Sequence, residues 1–369
     1  SEPVLYLVDP DKRTSEAHPI SPNVTRGRPV SIRAIEQDPQ GRLWLGTSIG
    51  LIRFDPADGS FQHYPHPPSS HNDPRKTFNS LIWDGTGHLW VHTPTGLERF
   101  DPETGVFDRY IPALFWYATK DLTGKIWLWG GYPGLHLLDP ASPPETALRS
   151  VSWTPSATAG ADGMTVMTLG TDHHGNVWAY LYPLSTMYRY SPAASRFGRH
   201  IAQPERADSL GGAMIRGFAE DSDGSIWIAT ALAGLDRFAP RSGTFTHFRH
   251  DPRRSQGLSG DQITSVYEDR SKAVWVAGKF GLGRLDSKSG RFTSLGDVIS
   301  TGYSIYSMIE DTSGRFWIGD WAGSVRLLDR RTGKASPEIA RGHVIHEDRE
   351  GNIWMGFPPG LNKLDRAGK

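Results

Sequence analysis

Apolar and polar residues alternate with a period of two along most of the chain, and no helical stripe interrupts them. The alternating runs are short. They are separated by turn-forming pairs such as Asp58-Gly59 and Asp223-Gly224, the chemistry that tight hairpins favour. The pattern predicts many short strands, and it repeats. Eight tryptophans, Trp44, Trp90, Trp127, Trp178, Trp227, Trp275, Trp317 and Trp354, fall 37 to 51 residues apart.

Each copy reads as four strands, clearest around EDSDGSIWIATALAGLDRFAPRSGTFTHF at residues 220–248. The first strand precedes an acidic pair, as in ITSVY at 263–267. The second carries the tryptophan, the third is the GLDRF or GLIRF segment, and the fourth resembles FTHF. A single four-stranded sheet cannot bury both faces, so the copies must stack. Repeats of about 40–50 residues with this make-up predict an all-β fold, a β-propeller of eight four-stranded blades. The last copy stops without a fourth strand. The segment VLYLVDPDKRTSEAHPI at 4–20 reads like the third and fourth strands of a copy, and is expected to complete the eighth blade and remove its exposed edge. The chain then forms one propeller domain over residues 1–369, with 1–20 as the closing segment and the repeats running from about residue 30. The competing reading is a piece of a longer array.

Composition narrows the function. The 369 residues hold 40 basic and 40 acidic side chains, so no global field draws the chain to nucleic acid or membrane. No apolar run approaches the roughly 18–20 residues of a membrane span. Cysteine is absent, which excludes disulfides, thiolate metal sites and a cysteine nucleophile. The start at Ser1, without an initiating Met or a signal sequence, points to processing or trimming.

The segments IRAIEQDPQGRLWLGTSIGLIRFDPADGSFQHY (32–64) and ITSVYEDRSKAVWVAGKFGLGRLDSKSGRF (263–292) resemble the two-component regulator propeller repeat, as does the connection FTHFRHDPRRSQGLSGDQI (245–263). The resemblance covers the whole chain and is weakest in the third and fourth copies. It implies the periplasmic sensing region of a bacterial hybrid histidine kinase, often tuned to carbohydrate breakdown products. Ligand sensing outside the cytoplasm, periplasmic or secreted, is the expectation, with a larger sensor protein or a dimer partner. The kinase, transmembrane and response-regulator segments of that architecture are not in this sequence. Streptogramin lyase and several propeller polysaccharide lyases share related architecture, so repeat identity leaves catalysis open.

Two sets of aligned positions offer a site. One residue on each first strand varies without regard to packing: Arg33, Asn79, Trp116, Met167, Arg216, Thr264, Tyr306 and His343. Its neighbours, such as Ile215, Ile263 and Ile305, behave as core, so the variable residue is expected to face the channel. It offers either an arbitrary polar lining or a ring of ligand groups. The second set lies two residues after each tryptophan. Gly46, Ala229, Ala277, Gly319 and Gly356 are small there, but His92, Trp129 and Tyr180 are not. With Tyr132 and Tyr182 in the adjoining loops, they suggest aromatic stacking on sugar rings at a mouth over blades two to four. The alternative is that bulky side chains fill gaps between splayed sheets, the stronger reading for Trp129. The loop residues His71, Arg75, Lys279-Phe280, Asp320-Trp321 and Arg341 add more basic than acidic charge to the same mouth, a hint of an anionic ligand such as a uronate. Ordinary solvated loop charges would look the same.

No cofactor is expected, and no metal site. His173 and His174 are adjacent in a turn, too close in sequence to share an ion well. Asp221-Ser222-Asp223-Gly224 lacks the later ligands of a calcium loop. Acidic pairs such as Glu220-Asp221, Glu268-Asp269 and Glu310-Asp311 recur in nearly every copy, as scaffold would. The leading functional reading is a module that binds an oligosaccharide or other small polar ligand, with no nucleic acid partner and no membrane contact within this chain. A second is a polysaccharide lyase, with Arg216 neutralising a uronate carboxylate, His343 or His92 as base, and Tyr180 or Tyr306 as acid. A third is a protein-interaction platform.

Overall fold

The computed structural model describes residues 4–9, 14–20, 22–25, 30, 32–65, 80–93, 96–112, 115–130, 135–142, 144–151, 165–182, 186–203, 206–212, 214–296, 298, 304–341, 344–347, 349, 351, 353–357 and 360–364. Among them, the helices Pro22–Thr25 and Pro144–Ala147 have one turn each, and all other regular structure is strand. Among the described residues no helix is long and apolar enough to cross a membrane.

The strands form eight sheets in the order of the sequence repeats, the blades of a β-propeller. Two compact units contain them. Residues 1–153 with 338–369 hold blades one to three and eight, and residues 154–337 hold blades four to seven. Blade five shows the plan: Ile215–Glu220, Ile226–Thr230, Leu235–Ala239 and Thr244–Phe248 pair antiparallel in sequence order. Its second strand is buried at every position, while its fourth alternates between exposed and half-buried positions and has none fully buried. Both faces of a second strand pack inside the stack, which is why IWIAT, LWLGT and VWVAG are nearly continuous apolar runs.

One motif braces blades one to seven. In each of them the indole N–H of the framework tryptophan donates to the aspartate six residues earlier, as from Trp44 to Asp38 (2.9 Å), Trp178 to Asp172 (2.8 Å), Trp227 to Asp221 (3.0 Å) and Trp317 to Asp311 (2.8 Å). The other carboxylate oxygen accepts amides two and four residues on, as from Asp223 and Ser225 to Asp221, and closes the hairpin. Seven of these tryptophans, Trp44 through Trp317, are fully buried, so every indole N–H needs such a partner. In blades one, five, six and seven the residue before the aspartate ties the blade to the preceding one. Glu220 accepts the His173 amide, Glu268 that of Ser222, and Glu310 that of Arg270, at 2.6–2.7 Å. Gln37 accepts the Arg349 amide at 2.9 Å in the same way. The recurring acidic pairs are thus scaffold, as their repetition implied.

These hairpins turn through a left-handed residue, usually glycine, as at Gly224 (φ +81°). In blade six Lys272 fills that slot at φ +66°.

The N-terminal segment completes the eighth blade with two strands. Val4–Asp9 pairs parallel with Gly360–Leu364, opposing Tyr6 to Asn362, and Thr14–Pro19 pairs antiparallel outside it. The resulting sheet has five strands.

Candidate functional site

The variable inner-strand position owes its direction to a β-bulge. In blades five, six and seven the first two strands slip register between Ile215 and Gly217, Ile263 and Ser265, and Ile305 and Ser307. The residues left over are Arg216, Thr264 and Tyr306. A bulge leaves one residue unpaired and re-aims its side chain. Hence Ile215, Ile263 and Ile305 stay in the core while Arg216 and Tyr306 are exposed. Blades one, three and four carry the same backbone bulge at Arg33, Trp116 and Met167.

A second repeated contact sets the loop after each second strand. The amides of Ala231, Lys279 and Trp321 donate to the carbonyls of Met214, Gln262 and Ser304, at 2.9, 3.1 and 3.2 Å. Each carbonyl lies two residues before a bulge residue. Loop and bulge therefore come together in three successive blades, around a cleft of about 430 Å³. Arg216 and Lys279 supply its charge and Tyr306 and Trp321 its aromatic surface.

Tyr306 and Trp321 meet edge to face, with centroids 5.2 Å apart and planes at 80°, yet they are 52% and 62% exposed. Two large aromatics in contact and open to solvent form a stacking surface. The Thr264 hydroxyl lies 2.7 Å from the Ile305 carbonyl and 3.2 Å from that of Ala277, so it serves the backbone. Neither Arg216 nor Lys279 has an ion-pair partner among the described residues, and no carboxylate or imidazole is among the described residues lining the cleft. A cleft with two free cations and an aromatic wall suits a small ligand that is both anionic and ring-shaped.

Two expectations are corrected. The position two residues after the tryptophan belongs to the core in every blade whose side chain is described, including Gly46, Ala229, Ala277 and Gly319. Tyr180 is 1% exposed and packs with Met187, Leu210, Ile215 and Ile228. Its hydroxyl accepts the Met214 amide at 2.7 Å, so it neither stacks on a sugar nor serves as a free acid. His92 is likewise buried, opposite Ser80 in its sheet, and is not available as a base. Second-strand side chains point between sheets, so bulk there fills the core.

Arg33 is exposed at its own bulge in the other compact unit. Asn79, Tyr132, His343, His71 and Arg75 lie outside the described residues, as do the side chains of Trp116, Trp129, Tyr182 and Arg341. Sequence reading missed the roles of Gln262 and Ser304, whose carbonyls fix the loops. Their signal was positional: each stands two residues before a variable inner-strand residue.

Burial and charge shape the surrounding frame. Burial raises the Tyr267 hydroxyl above its ordinary pKa, and that oxygen accepts the Glu310 amide at 3.1 Å. Burial alone would raise Asp269, but hydrogen bonds from Ser271, Trp275, the Ala273 amide and Arg330 hold it below the usual carboxylate value.

The sequence profile of the family described as two-component regulator propeller matches residues 27–48 and 209–231. No curated protein matches the chain. Among solved structures, the Dos1 propeller is similar over 90% of this chain and 91% of its own, at 12% identity and a TM-score of 0.65. Virginiamycin B lyase from Staphylococcus aureus, solved with quinupristin, is similar over 80% and 93%, at 13% identity and a TM-score of 0.52. At such identities these two establish the propeller fold and nothing more. The extracellular domain of a hybrid two-component system from B. thetaiotaomicron aligns with 96% of this chain at 22% identity and a TM-score of 0.38. The chain spans about half the length of that domain.

Proposed function

We propose that this chain, which carries two-component regulator propeller repeats, is a ligand-binding sensor propeller that captures an acidic saccharide in the cleft of blades five to seven. The observation that carries the reading is the pairing of exposed aromatics with two cations that have no ion-pair partner among the described residues. Arg216 and Lys279 offer charge-assisted hydrogen bonds to a carboxylate, and Tyr306 and Trp321 offer flat faces to the C–H side of a pyranose. The repeat family supports a place outside the cytoplasm, periplasmic or secreted, as part of a larger sensor that dimerises. The lyase reading loses support, because two of its assigned groups, His92 and Tyr180, are buried.

Calorimetric titration with uronate oligosaccharides and with neutral oligosaccharides of the same length tests this. Saturable binding of the acidic set, weakened in Arg216→Ala, is the expected result. No binding by any of them would overturn it. Absorbance from an unsaturated uronate product during the same titration would mark a lyase instead.

A further inference from the structure

The turns of blades four and five bring together three metal-ligating side chains that the saccharide cleft does not use. Asp172 fixes the first turn. Its carboxylate accepts the amides of His174 and Asn176 (3.0 and 2.8 Å), the Asn176 side-chain amide, and the Trp178 indole. In that turn stand His173 and His174, both exposed, where the other described blades carry pairs such as Leu122-Thr123, Ser222-Asp223 or Arg270-Ser271. Their rings lie 3.9 Å apart, on the same side of the turn. Adjacency in sequence, the objection to a shared ion, is therefore removed by the shape of the hairpin.

The third ligand is Glu220. One of its oxygens accepts the His173 amide, the staple found in the sibling blades. The other oxygen has a different neighbour in each blade. In Glu310 it pairs with Arg330 at 2.9 Å, and in Glu268 it faces the Ser222 hydroxyl. In Glu220 it faces the Nδ1 atom of His173. One ligand atom from each of His173, His174 and Glu220 lies within 4.8 Å of the others. Room for the two rings comes from Gly224 in the next turn. A Cβ there would stand 3.0 Å from the Cε1 of His173 and 3.5 Å from that of His174.

We propose that His173, His174 and Glu220 form a surface site for a divalent zinc-class ion, which clamps the turn of blade four to that of blade five. Two imidazoles and a carboxylate are the donor set zinc accepts, and three protein ligands leave a fourth position for water. The carboxylate is already held by a backbone amide and the imidazole-bearing turn by Asp172, so both sides of the site are oriented before an ion arrives. Closing this clamp adds to the amide staple and the His173–Glu220 side-chain contact that link the two turns.

The test uses the full chain without an affinity tag, stripped with chelator and titrated with zinc chloride by calorimetry, with thermal melts in parallel. One ion per chain and a higher melting temperature with zinc are expected. His174→Gln should weaken zinc binding about tenfold or more. Because His174 takes no part in the contact between His173 and Glu220, its variant should melt like the wild type when metal-free. Glu220→Gln, which can still accept the His173 amide, should lose affinity as well. The proposal is overturned if zinc does not saturate at one per chain. It is equally overturned if His174→Gln and Glu220→Gln bind zinc as the wild type does, which would leave His173 and Glu220 as an ordinary ion pair.

Discussion

The hydroxyl of Tyr180, in blade four, accepts a hydrogen bond from the backbone amide of Met214, 2.7 Å away at the entrance to blade five. Met214 is one of three described non-glycine residues with positive φ, at +63°, and its carbonyl in turn receives the Ala231 amide. Two residues later comes Arg216. A bulky core side chain in one blade therefore fixes a left-handed residue in the next, and through it the bulge that aims a cation into the cleft.

Tyr180→Phe keeps the volume but leaves the Met214 amide without its acceptor. The amide is half-buried, so a cost toward the lower end of the roughly 1–3 kcal/mol of an unsatisfied buried donor is expected. Urea unfolding measures it. Saccharide affinity should fall in the same variant although Tyr180 touches no ligand, because Arg216 loses its fixed approach.

Arg216→Ala and Lys279→Ala should each weaken an acidic oligosaccharide by about tenfold to a hundredfold, the range of charge-assisted hydrogen bonds. Neutral oligosaccharides should be affected far less. Titrations at low and high salt would check the assignment, since the charged contribution of the wild type is screened and that of the variants is already gone.

Trp321→Ala should leave stability within about 0.5 kcal/mol of the wild type, because the side chain is mostly exposed. Binding of neutral and acidic saccharides should drop alike, since stacking on the ring does not depend on charge. Parallel melting and titration separate the two effects.

Acid should loosen blade six through Asp269. Its folded pKa is depressed, so the stability it contributes is present above the unfolded value of about 3.9 and is lost as pH falls through the folded value. Asp269→Asn should be less stable than the wild type at neutral pH, and the gap should close as the solution is acidified below about pH 4. Melting temperatures of both proteins across that range give the comparison.

Lys272→Gly should stabilise the protein. The lysine sits at φ +66° in a slot that sibling hairpins give to glycine. Relief of the left-handed cost outweighs the extra freedom of an unfolded glycine by roughly 0.5–1 kcal/mol. The weak exposed contact with Asp223, 4.0 Å away, contributes little against that. A lower urea midpoint in Lys272→Gly would refute the assignment.

The sequence by itself determined the blades. Period-two alternation, the spacing of the tryptophans and the aspartate six residues before each are local or short-range features, and local hydrogen bonds such as Trp227 to Asp221 suffice to realise them. It also marked Arg216 and Tyr306, as variable residues set among core positions of the first strands, and Lys279 and Trp321, as loop residues at the mouth. Tertiary structure alone decided which candidates meet. His92 and Tyr180 stood out by the same logic of deviation, but second strands are covered on both faces, so their bulk went into the core. Whether a side chain enters a cleft or a core turns on one slip of register at Ile215, Ile263 and Ile305, set by the partner strand and the neighbouring blade. The approach of Glu220 to His173 and His174 is of the same kind: 46 and 47 residues separate them in the chain, and only the stacking of two sheets puts them on one ion's scale.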